Sequence, residues 1–354
     1  LLSTKENHRA CFGSFFSYLL GLTFLSSMVF GQNINTAENF PDPNFRTAVE
    51  EYMGVERGGE FTAIETAIKT DLFDCSERNI ESVMGLQFFI SLQNFDCSSN
   101  RLERLDVSKN IGLSGLYCSY NQLATLDVSK NLLLTNLSCT SNQLTSLDVT
   151  RNPYLFDLYC QRNQITSLDV SQNPELVIFW VSNNQLTDLD VSRNPKLGMF
   201  ICSNNLLSTL VLSQNPNLGF FDCSSNRLTF LDITNNPKLG SCVCDSNQLT
   251  RLDVSQNPNL KLLSCTSNLL TELDLSHNPE LYYLKCASNR LTGIPTFYEL
   301  SFAMILVDLR YNLLDCGDWE EIKTLRSRLG EPVFEEENAQ ESGLAYSPQT
   351  DLDP

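Results

Sequence analysis

The stretch Leu155–Pro174, LFDLYCQRNQITSLDVSQNP, holds one complete repeat unit of this chain. Apolar residues fall at Leu155, Leu158, Cys160, Ile165, Leu168 and Val170, so the pattern LxxLx(apolar)xxN occurs twice, ending at Asn163 and at Asn173. Each half contains a period-2 triplet, Leu158-Tyr159-Cys160 and Leu168-Asp169-Val170, and each triplet reads as a brief strand. The unit then recurs every 21 residues, with Cys97, Cys118, Cys139, Cys160, Cys202, Cys223, Cys244, Cys265 and Cys286 in one slot and Val181 standing in once. No single coil can bury its own apolar face, so the period demands a stack of coils, each covering the next. Two strands per coil imply two parallel sheets on opposite sides of a flattened superhelix. At about 4.8 Å per coil, twelve rungs make a rod of roughly 50–55 Å.

These residues resemble the leucine-rich repeat family, and most closely the bacterial secreted, internalin-like members with coils of the form LxxLxCxxNxLTxLDVSxNPxL. The resemblance covers Leu92 to about Asn312. It implies a leucine-rich repeat solenoid, a right-handed β/α-type superhelix with helical caps, and a role in binding other molecules rather than in catalysis. The chain departs from the pattern at Val181, at Val211 in the Asp slot, and after Asn289, where Gly293-Ile294-Pro295 lengthens the coil to 23 residues.

Working outward, residues 1–31 read as a secretory signal: Lys5 and Arg9, an apolar run from Phe15 to Phe30, then small residues with a cut after Gly31. Residues 32–70 read as a helical N-terminal cap, with Asp42-Pro43 opening one helix, Gly54 closing it, and Thr62 with Glu65 opening a second. The repeats occupy residues 71–312. A cap helix at 313–330 carries Trp319, Ile322, Leu325 and Leu329 on one face, and residues 331–354 form an acidic tail. From Asp315 to Pro354 there are 11 acidic and 3 basic residues, part of a net charge of −18 that argues against nucleic acid as a partner.

Export places thirteen cysteines in an oxidising compartment. Their constant inward slot, filled by Val181 in one rung, makes them small buried hydrophobes rather than disulfides or zinc ligands. Asp106, Asp127, Asp148, Asp169, Asp190, Asp232, Asp253 and Asp274 share an outward slot. Hydrogen bonds from nearby Ser, Thr or backbone N–H groups are the preferred account of this ladder, with Ca²⁺ bridging as the alternative. No cofactor or metal is called for. The only histidines are His8 and His277, which leaves no nucleophile–base arrangement to assemble, so an enzyme is not expected.

The informative positions are the outward slots of the cysteine strand, one and three residues before each cysteine. There Tyr117, Tyr159, Ile178, Trp180, Met199, Ile201 and Phe220 should form an exposed apolar ligand-binding patch. Gln161, Ser182 and Ser203, each just after the inward slot, would add hydrogen bonds. The expected function is recognition of a protein or glycan at the cell surface or outside it, with no membrane span once the signal is removed. A structural spacer or self-associating envelope unit is the alternative.

Overall fold

A computed structural model of the protein describes residues 31–297, 306–315 and 318. The signal segment, the cap helix with Trp319, Ile322, Leu325 and Leu329, Cys316 and the acidic tail lie outside the described residues. Three-residue strands dominate. β1 (Leu72–Asp74) and β2 (Asn94–Asp96) lead into β3 (Gly115–Tyr117), β4 (Asn136–Ser138), β5 (Asp157–Tyr159), β6 (Ile178–Trp180) and β7 (Met199–Ile201). They continue through β8 (Phe220–Asp222), β9 (Ser241–Val243) and β10 (Leu262–Ser264). After β11 (Asp274–Leu275) come β12 (Tyr283–Lys285), β13 (Thr296–Phe297) and β14 (Leu306–Asp308).

All but β11 and β13 join one 12-stranded sheet in simple chain order, every pair parallel and in register. The second sheet is short: β11 pairs with β13, and isolated parallel bridges link Asp127 to Asp148 and Asp232 to Asp253. The aspartate ladder explains its brevity. Each carboxylate turns back onto the N–H two residues ahead, as from Ser108 to Asp106 at 2.9 Å and from Ser171 to Asp169 at 2.8 Å. That local bond bends the chain and competes with a longer ladder. The donors are Ser or Thr in the slot of Ser171; Thr145 and Thr166 are not the partners.

Two asparagine ladders hold the coils together. In the first, Asn184 Nδ2 donates to the carbonyls of Cys160 and Val181, both at 3.0 Å, while its Oδ1 accepts from Ile165 N–H at 3.0 Å. The residue before each of these asparagines takes a left-handed conformation without being glycine, from Ser99 (φ +56°) to Tyr311 (φ +57°). Such backbone is strained for an L-residue, and the asparagine bonds on both sides hold it there. In the second ladder Asn194 Nδ2 donates to Val170 and Asn173 carbonyls at 2.9 Å.

The core is a continuous column of leucine, valine and cysteine. Eleven described cysteines are free and buried. Burial drives the ladder thiols up, Cys139 to about 12, so they stay protonated and pack as apolar groups. Cys242 is off the beat and fills the slot that Phe221 and Leu263 occupy in the coils on either side. The first end of the column is closed by α1 (Pro43–Met53), capped by Asp42 and Gly54, and α2 (Ala63–Ala67), opened by the Thr62–Glu65 capping box. Phe40, Phe45, Phe61 and Phe73 are buried beneath them, so the first coil does not end in water.

Candidate functional site

Strand alternation sends the middle residue of each triplet inward and the first and third outward. Along the outward face the side chains fall into three sectors. Asn94, Asp96, Tyr117, Asn136, Asp157 and Tyr159 make a polar and aromatic sector. Ile178, Trp180, Met199 and Phe220 make an apolar one. Asp222, Asp245, Tyr283, Lys285, Asp308 and Arg310 make a charged one.

The apolar sector is half-buried rather than fully exposed, because its members cover one another at strand spacing. Ile178 pairs in register with Met199 and Met199 with Phe220. Tyr159 and Trp180 rings are tilted with centroids 6.4 Å apart. Behind them Phe179, Phe200 and Phe221 stack inward at 5.5 and 5.7 Å, so a rigid aromatic spine backs the patch.

Three expected contacts are corrected. Ile201 is buried, with 8% exposure, because it lies between Trp180 and Asp222 in the same row and they close over it. Ser182 and Ser203 are also buried, at 2% and 5%, and Ser182 is already engaged by the Trp180 indole N–H. All three lie largely below the outward surface. Tyr117, Tyr159, Ile178, Trp180, Met199 and Phe220 remain half-buried on the face, as does Gln161.

A second apolar surface was not anticipated. Leu133, Tyr154 and Phe156 are exposed at the edge where the strands begin, Tyr154 and Phe156 by 45% each. With Thr135, Asn136, Pro153, Pro174 and Glu175, the two aromatics line an open hollow of about 630 Å³. The signal was present in sequence, since Leu133 and Tyr154 share the slot held by Lys196 and Lys238 in other coils.

Electrostatics separates the remaining groups. Hydrogen bonds from Ser or Thr two residues ahead hold Asp127, Asp148, Asp190, Asp232, Asp253 and Asp274 below the ordinary carboxylate range. Asp157 and Asp245 go the other way, raised chiefly by desolvation. Asp245 is well held, with Ser264 Oγ at 2.7 and 2.8 Å and Thr266 N–H at 2.6 Å. His277 Nδ1 lies 3.0 Å from Ser276 Oγ on an exposed turn, in a slot held elsewhere by Lys109, Arg151 or Gln256. Among the described residues no cluster of His, Cys, Asp and Glu fits a metal, and no helix is long and apolar enough to cross a membrane.

No protein-family model matches the sequence, and no curated protein matches it. Solved structures do. The functional domain of InlJ from Listeria monocytogenes, which includes a cysteine ladder, aligns at 31% identity over 81% of this chain and 73% of its own, with TM-score 0.67. The internalin InlF from the same organism aligns at 17% identity over 84% of this chain and 90% of its own, with TM-score 0.75. The leucine-rich repeat ectodomain of an Arabidopsis thaliana membrane receptor kinase, in complex with Casparian strip integrity factor 2, aligns at 19% identity and TM-score 0.53. That match covers 66% of this chain and 34% of the ectodomain. The last two share the fold alone. The likeness to InlJ extends to the repeat sequence itself, and with the 21-residue cysteine coils it shows that the chain belongs to the internalin-like leucine-rich repeat family.

Proposed function

We propose that this protein is an exported recognition protein that binds a protein partner through the outward face of the cysteine sheet. The observation that carries this reading is the apolar sector of Ile178, Trp180, Met199 and Phe220, four large side chains held in fixed register over a stacked phenylalanine spine. A preorganised cluster of this kind loses little conformational freedom on binding, and aromatic anchors of this type dominate interface energies. The plant ectodomain of the same fold is in complex with Casparian strip integrity factor 2, which supports binding as the use of the scaffold. Recognition, not catalysis, is what this face is equipped for.

A random peptide library displayed on phage tests the reading, with the full chain as bait. The parent should enrich peptides bearing aromatic or long aliphatic residues. Trp180→Ala combined with Met199→Ser should cut their retention at least about tenfold, since two apolar anchors are lost. Equal retention by parent and variant removes the patch as the site. Sedimentation of the parent across a range of concentrations should give a monomer; a dimer that the same substitutions dissolve would make the patch a self-association surface instead.

A further inference from the structure

The carboxylates along the sheet face are not equivalent. Asp74, Asp96 and Asp222 each accept the N–H two residues ahead, all at 2.9 Å, where the strand has ended and that donor would be free. Asp308 does the same for Arg310 and also takes its guanidinium at 2.9 Å. Asp245 caps Thr266 N–H and holds Ser264. Asp157 caps no backbone at all. Its Oδ2 accepts from Asn136 Nδ2 at 2.7 Å, and its Oδ1, shielded from solvent, has no partner. Thr135 Oγ1, 2.7 Å from Asn136 Oδ1, fixes that amide with its nitrogen toward Asp157.

A second orphan lies just past the same strand. Gln161 Oε1 is also buried without a partner, and apart from the second asparagine ladder only Thr266 Oγ1 shares that condition among the described residues. Both orphans are acceptors, and what Asp157 lacks is a donor. No ion pair among the described residues reaches Asp157. Aromatic walls stand on either side: Tyr117 and Tyr159 occupy the same row two coils apart, with only Ser138 between them. At strand spacing the gap is about 9.6 Å from backbone to backbone. The Tyr117 ring folds over Gly115, where an added Cβ would meet the ring at 3.1 Å and collide with Asn94 Oδ1. Both phenols are raised, first by desolvation and then by the nearby Asp157 charge.

We propose that β5 carries a cation-reading subsite, in which Asp157 takes the N–H donors of an arginine side chain seated between Tyr117 and Tyr159. This deepens the recognition reading and rests on it: the arginine belongs to the same protein partner whose apolar residues cover Trp180, Met199 and Phe220. A guanidinium is planar, rich in donors and stacks on aromatic faces, which matches acceptors flanked by tyrosine rings. A chain of net charge −18 also favours encounter with a basic segment.

The probe is N-acetyl-argininamide, compared with its neutral isostere N-acetyl-citrullinamide, added to full-length protein carrying ring-labelled tyrosine. Phenylalanine substitutions assign the Tyr117 and Tyr159 signals. The arginine probe should shift both at about tenfold lower concentration than citrulline, and Asp157→Asn should erase that preference while leaving the thermal melt cooperative. Equal response to the two probes, or a preference that survives Asp157→Asn, overturns the proposal. A Met199→Ser, Phe220→Ala variant, which leaves the Tyr159–Trp180 ring pair in place, should keep the preference. The peptide library can therefore reject the apolar patch while the probe still supports the subsite, and the reverse.

Discussion

The face of the sheet from Tyr117 to Phe220 and the face from Asp222 to Arg310 are successive halves of one solenoid, built from coils of the same kind, and differ in how their polar groups are spent. In the second stretch nearly everything is paired internally. Asp222 holds Ser224, Asp245 holds Ser264 and Thr266, Lys285 lies over the Tyr283 ring at 5.4 Å, and Arg310 pairs with Asp308. In the first stretch Asp157 and Gln161 keep unpartnered acceptors, and beside them lie half-buried apolar side chains that no segment covers among the described residues. A scaffold that satisfies its surface in one half shows that it could do so in the other. The unsatisfied half is the one to suspect of binding.

If that contrast is a matter of surface alone, the framework beneath must be equally strong in both halves. Asn163→Ala and Asn268→Ala test this with the largest expected effect. Each removes an amide that bonds carbonyls in two coils and accepts one buried N–H, Leu144 for Asn163 and Leu249 for Asn268. Leaving those groups unpaired should cost about 3 kcal/mol or more in either place, read by urea unfolding. A much smaller loss at Asn163 would mean that the binding half is soft throughout, and the contrast would then be one of rigidity.

The next test separates the two carboxylates. Asp245→Ala removes the acceptor of the half-buried Thr266 N–H and the buried Ser264 hydroxyl and should destabilise by about 1–2 kcal/mol. Asp157→Ala releases only a side-chain amide that water can serve, and should stay within about 0.5 kcal/mol. Equal costs would make Asp157 one more structural carboxylate.

Most of the fold was legible because a 21-residue period repeated ten times assigns every slot a direction. The cysteine, asparagine and aspartate ladders all follow from it, and the caps at Asp42, Gly54 and Thr62 could be read from local capping chemistry. Depth was not legible. Alternation gives the side on which Ile201, Ser182 and Ser203 emerge, but whether Trp180 and its neighbours close over them depends on side-chain volumes in adjacent coils. The distinction between Asp96 and Asp157 was within reach and missed. An aspartate one residue before the cysteine meets a free N–H two residues on, at the end of the strand. One placed three before meets Tyr159, inside the triplet. That offset alone leaves Asp157 with no backbone to hold.

The smallest effect should appear in the pH dependence of stability, and its sign also divides the aspartates. Those of the second ladder, such as Asp148 and Asp232, have folded pKa values below their unfolded ones. Their contribution is present above about pH 3.9 and is lost as acid carries them through the folded value. Asp157 and Asp245 are raised by desolvation, so the folded state binds their protons more tightly than the unfolded chain does. Their term favours folding below the unfolded pKa and is lost as pH rises through the folded one. Asp157→Asn removes this liability without changing shape. The variant should therefore melt slightly above the parent at pH 7, and the gap should close as the pH drops toward about 3.9 and the parent's carboxyl becomes neutral too. Thermal melts at a series of pH values read this directly. A variant that melts below the parent at pH 7 would show that the Asp157 charge stabilises the fold, and the first half of the sheet would then be as internally satisfied as the second.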